Sequence, residues 1–212
     1  MEKKKEELSI KLDKISRVYF FAQDAYLYTE YFHNPETDEE LQLIINSPHS
    51  RELSMIMHLM FRTLIVELSK LFSRSANDKF QLEKFIKSLS PEGHFSEIGV
   101  SQEIMNSWIE RIKGNKEIIN DILVLRDKIY AHTDNPIATY KEIDISFKKI
   151  KVLLDIAKDI LTSIYGTVFD VGLTANSPTF DRGRFILLKL LAKAEAQRVQ
   201  EIFEKYRNWR TE

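Results

Sequence analysis

The chain has no cysteine among its 212 residues. That excludes disulfides, a thiolate zinc site and a cysteine nucleophile, and leaves the reducing cytoplasm as the expected setting. Glycine and proline are scarce, at six and five. Turn-rich runs of short alternating strands are missing, so long helices with few loops are expected and the fold class is all-α. No long apolar run occurs. The segment Met1–Glu7 leads into a helix that mixes charges among its apolar residues, unlike a signal peptide or a membrane span, and no membrane partner is expected. Gly-rich phosphate loops, Gly-x-Ser-x-Gly and zinc-protease motifs are absent as well. A net charge of −1 argues against a protein that coats nucleic acid by bulk electrostatics.

What remains is 43% hydrophobic and 30% charged, enough for one substantial core. The expectation is a single all-α domain over 1–212, with a core at about 7–165 and a C-terminal helix at about 182–209 that packs on the core or on a dimer partner. Charge is uneven. Residues 1–50 carry ten acidic and six basic side chains, whereas 182–210 carry eight basic and three acidic, among them Arg182, Arg184, Arg198, Arg207 and Arg210. A phosphate-bearing partner would meet the second half; otherwise these residues form the solvated face of the last helix.

Periodicity predicts an up-and-down bundle of five to six helices. The first spans about Glu7–Phe32, with many rings that pack on neighbours, and Asn34-Pro35 stops it. A short helix at Glu39–Ile45 comes before a long one from Ser50, in which Leu53, Met57, Met60, Leu64, Leu68 and Leu71 recur as one buried stripe. Ser73–Lys79 reads as a loop and Phe80–Leu89 as a short helix. Ser101 is a plausible N-cap for a helix, or a broken pair, that reaches His132, with its weak point at Gly114-Asn115. Thr139 and Glu142 have capping-box spacing, which sets the next start near Tyr140. From there Ile143, Phe147, Ile150, Leu154, Ala157, Leu161 and Ile164 form a packing seam. Gly166–Pro178 reads as a long connection. The last helix carries Phe185, Leu188, Ala192, Val199, Ile202, Tyr206 and Trp209 on a stripe that Glu195 interrupts.

Chemistry concentrates in Leu125-Arg126-Asp127-Lys128-Ile129-Tyr130-Ala131-His132-Thr133-Asp134. On a regular helix Arg126 lies over Tyr130, and Lys128 over His132. Arg126 and His132 are about 120° apart around the axis and about 9 Å along it. For both to act on one phosphate, the helix must unwind before His132, or the site must be assembled from two chains. A structural reading is also open: a histidine favoured by the helix dipole, surface charges at Arg126 and Asp127, and Tyr130 facing the core. Glu30-Tyr31-Phe32-His33 has the Glu-x-x-His spacing of di-iron bundles but lacks the second copy they need. His33 therefore reads as a helix-end residue, and His58 as a half-buried histidine.

An arginine, a polar residue and then a histidine near a helix end in an all-α bundle resemble the signature of HEPN domains. Here these are Arg126, Asp127 and His132. The phrase Leu125–Lys128 with Ala131–Asp134, together with the upstream runs Glu67–Phe72 and Leu82–Ile86, more narrowly resembles the abortive-infection U-type branch, over most of residues 10–200. The resemblance implies a metal-independent endoribonuclease of phage defence or of toxin type, without cofactor, usually a homodimer, with RNA as substrate and an antitoxin as a further partner. It implies His132 as the proton-transfer residue, Arg126 as the phosphate-stabilising one and Asp127 as the group that orients them. Tyr130, Lys128 and Asp134 would line the substrate. Asp127 departs from members with asparagine or histidine at that place, and its negative charge points toward weaker cleavage or toward a binding module for nucleotide, RNA or protein. Members silenced by nucleotidyl transfer carry a tyrosine where this chain has Asp134, so that control is not implied.

Overall fold

The computed structural model describes residues 2–75, 77–131, 145–173 and 186–209, the side chains of 128–131 excepted. Among the described residues the regular structure is helical, without strands. The α-helices are α1 Glu2–His33, α2 Asp38–Asn46, α3 Ser50–Leu71, α4 Leu82–Lys87, α5 Gln102–Gly114, α6 Lys116–Ala131, α7 Phe147–Phe169 and α8 Leu187–Trp209. The count exceeds five to six because the short segments α2 and α4 both form as helices and the helix from Gln102 is broken at Asn115. The break follows the expected weak point. Asn115 leaves helical geometry (φ −112°, ψ 23°), and its Nδ2 donates to the Arg111 carbonyl at 2.9 Å.

Helix α1 begins at Glu2 rather than near Glu7, α4 is shorter than expected at Leu82–Lys87, and both ends of α7 differ from expectation. The helix starts at Phe147, capped by Ser146, whose Oγ accepts from the Lys149 N–H at 3.3 Å; Thr139, Glu142 and Tyr140 lie outside the described residues. At the other end α7 runs through Gly166 to Phe169 and stops at Asp170 in the left-handed region (φ 55°). A helical glycine costs about 1 kcal/mol relative to alanine. Burial of Ile160, Leu161 and Ile164 just before it outweighs that cost.

The chain divides into two compact units, each described by itself. Unit 1 comprises Met1–Tyr26 and Arg62–Ala175. Its buried residues follow helical spacing: Leu8, Leu12, Ile15 and Tyr19 on α1, Leu64, Leu68 and Leu71 on α3, Ile119, Ile122 and Leu125 on α6, and the α7 seam from Ile150 to Ile164. Two polar contacts fix helix registers within it. The Tyr165 hydroxyl of α7 donates to Asp13 Oδ1 of α1 at 2.7 Å, and Arg111 Nη2 donates to Asp159 at 2.8 Å.

Unit 2 comprises Leu27–Phe61 and Asn176–Glu212. Its core is Tyr31, Phe32, Leu43, Leu53, Leu188 and Ala192. The Leu188 N–H donates to the buried Tyr31 hydroxyl at 2.8 Å, which supplies a partner to an amide in the first turn of α8 that no helical carbonyl reaches. The expected stripes only partly bury themselves. On α3 Met57 and Met60 are half-buried and His58 is exposed rather than half-buried. On α8 the stripe is buried at Leu188 and Ala192, but Tyr206 and Trp209 are 66% and 76% exposed. Glu195 does not stand alone in that stripe, because Arg198 binds both of its oxygens at 2.7 and 2.8 Å.

Candidate active site on helix α6

Helix α6 begins where the Asn115 carbonyl accepts the Ile119 N–H at 3.0 Å, and Ile119, Ile122 and Leu125 seat one face in unit 1. That face fixes where Arg126 stands. One residue beyond buried Leu125, its side chain is 30% exposed, while that of Asp127 is 65% exposed. Consecutive helical residues do not face each other. Arg126 therefore curls sideways, and its Nε and Nη2 donate to the same Asp127 oxygen at 2.9 and 2.7 Å. A guanidinium has five N–H donors in a planar fork. Two are occupied here, and those of Nη1 have no partner among the described residues.

Of the six residues that the sequence nominates, Arg126 and Asp127 are brought together. Lys128 and Tyr130 lie within α6, one helical turn placing Tyr130 over Arg126, and their side chains are outside the described residues. His132 and Asp134 lie wholly outside them. Helix α6 is described as far as Ala131. Among the described residues, neither Arg126 nor Asp127 lines the cavity beside Lys11, the one beside Lys116 or the one beside Phe203.

Other candidates for chemistry resolve into structural roles. His33 Nδ1 donates to the Thr29 carbonyl at 2.7 Å, the helix-end contact expected of it. No group of three or more histidine or acidic side chains suited to a metal ion occurs among the described residues. No helix among them is long and apolar enough to cross a membrane.

Sequence reading missed a set of lysines. Lys11, Lys14, Lys79 and Lys84 border a cavity of about 620 Å³ between α1 and residues 79–85 of unit 1. Lys11 and Lys14 share a helix face by their spacing, which is a legible signal. Nothing local in the sequence shows that residues 79–85 fold over that face.

Compared with models of known protein families, with curated proteins and with solved structures, the chain gives no match.

Proposed function

We propose that the chain is a HEPN-like, metal-independent endoribonuclease of phage defence or of toxin type, acting in the cytoplasm as a homodimer. The observation that supports this most is Arg126: a partly exposed guanidinium, anchored through Leu125, with its fork oriented by Asp127 and the donors of Nη1 without a partner among the described residues. In the proposed reaction the RNA 2′-hydroxyl attacks the adjacent phosphorus, the bond from phosphorus to the 5′-oxygen breaks, and 2′,3′-cyclic phosphate and 5′-hydroxyl ends result. His132 moves the proton, because imidazole alone among side chains ordinarily titrates near neutrality. Arg126 offsets the charge that builds on the phosphoryl oxygens. Tyr130, Lys128 and Asp134 border the RNA, and a dimer sets the two helix ends at a shared cleft.

The Arg126–Asp127 bond itself favours a second reading. A carboxylate seated on the phosphate-binding guanidinium suits a non-catalytic module that binds nucleotide, RNA or a protein partner such as an antitoxin. Incubation with labelled RNA in EDTA separates the two. Cleavage with cyclic phosphate ends, absent from His132→Ala, supports the nuclease; binding without cleavage, lost in Arg126→Ala, supports the module.

A further inference from the structure

We infer that the exposed strip of α8 from Val199 to Trp209 is the surface through which two copies of this chain pair, each unit 2 offering the same face to the other. From Leu188 to Trp209 the stripe on α8 advances in alternating steps of four and three residues, the spacing of a helix that packs lengthwise on another helix. Its first part, Leu188 and Ala192, is buried in the core of unit 2. Its second part keeps the spacing and leaves that core: Val199 and Ile202 are exposed, and Phe203, Tyr206 and Trp209 are 70%, 66% and 76% exposed. The charge between the two parts does not stop the seam, because Arg198 donates to both oxygens of Glu195 within α8.

Area and shape point to a second copy as the occupant. The three rings expose on the order of 400 Å² per copy. With Val199 and Ile202 added, a pair of such strips buries about 1,000 Å² over both copies, the lower bound of a specific interface. Beside Phe203, small Ala196 leaves a groove of about 320 Å³ that Val199, Gln200, Glu204 and Arg207 also line. Ring and groove lie on the same helix face, so in a two-fold pair each Phe203 enters the groove of the other copy as a knob into a hole.

Unit 1 offers no matching strip among its described residues. Its exposed large apolar side chains are Ile10 and Phe21, about three turns apart on α1, Val124 on α6, Val152 on α7 and Val171 beyond it. Unit 2 adds Leu41 and Ile45 on α2 and Met55 and Leu59 on α3 to its exposed set. Its own core is six buried side chains, and units with so small a core gain stability by association. Charge agrees with self-pairing: Arg198, Glu201, Glu204, Lys205 and Arg207 mix both signs, so two such faces do not meet as like charges and a polyanion finds no uniform positive track. The inference goes beyond the nuclease reading, since no residue of α6 enters it.

Sedimentation equilibrium of the full chain tests this. The wild type should be a dimer at micromolar concentration. Phe203→Glu with Tyr206→Glu should weaken it at least about hundredfold while circular dichroism keeps its helix content, and Val152→Glu on unit 1 should leave it unchanged. Fluorescence of the wild type serves if the double variant misfolds. The chain has two tryptophans, and Trp108 is buried, so the emission of exposed Trp209 should move to the blue as the protein is concentrated. That shift should vanish in Trp209→Phe, which still dimerises. A monomeric wild type, as when another segment of this chain or another protein covers the strip, would overturn the inference, and so would a dimer that survives the double variant or leaves Trp209 emission unchanged. A monomer that cuts RNA in EDTA overturns this inference alone, and an α8 dimer that does not cut RNA overturns the nuclease reading alone.

Discussion

Two of the places where unit 1 holds positive charge treat it in opposite ways. On α6 Arg126 is already bonded to Asp127, at 2.7 and 2.9 Å, whereas at the α1–α4 cavity Lys11 rests on two rings and meets no carboxylate among the described residues. A phosphate arriving at α6 must compete with a resident carboxylate, whereas the Lys11 ammonium lies against the rings of Phe85 and Phe95. The lesson is that density of positive charge is a poor guide to reactivity. A compensated, oriented guanidinium suits a phosphate that is held briefly while bonds change.

The largest expected effect separates the two places outright. Arg126→Ala should lower RNA cleavage by about 10²–10³, the scale of one lost transition-state donor, while Lys14→Ala at the cavity should leave cleavage within about twofold, the scale of a single exposed charge. Single-turnover rates on labelled RNA measure both, and equal losses would merge the two regions into one site. A smaller effect concerns the resident carboxylate. Asp127→Asn weakens the competitor for the Arg126 fork, and since exposed pairs contribute about 0.2–1 kcal/mol, RNA affinity should rise by no more than about fivefold, read from filter binding. A fall in affinity would show that Asp127 orients Arg126 rather than competing for it.

The smallest effect tests the frame that carries the lysines. Tyr165 donates to Asp13 on α1, and burial, foremost, pushes its phenol up to about 12. A folded-state pKa raised above the ordinary 10 makes this contribution fully present below pH 10 and lost as pH rises toward 12. Thermal melting followed over that interval should therefore fall more steeply for the wild type than for Tyr165→Phe. Parallel curves would remove Tyr165 from the titration.

The same distinction between local and distant information decides what the sequence revealed. Fold class was legible because α7 and the second half of α3 carry apolar residues at strict helical spacing, and nearly all of those are buried. The break at Asn115 was legible because Gly-Asn weakens helix locally. The end of α7 was not, because Gly166 is a local stop signal overruled by tertiary burial of Ile160, Leu161 and Ile164. The stripe on α8 has the same spacing as the α7 seam, yet Tyr206 and Trp209 stay exposed; periodicity defines a face and not what covers it. Of the candidate site, adjacency in sequence made the Arg126–Asp127 pair legible, whereas the cavity needed Lys11 and Lys84 to approach from 73 positions apart.

The most direct test of the nuclease reading is to incubate purified protein with labelled total RNA and tRNA in EDTA, wild type beside His132→Ala, and to identify the product ends. The account predicts cleavage by the wild type that leaves 2′,3′-cyclic phosphate and falls by about 10²–10⁴ in the variant. Equal cleavage by both proteins, or cleavage that EDTA abolishes, would contradict it.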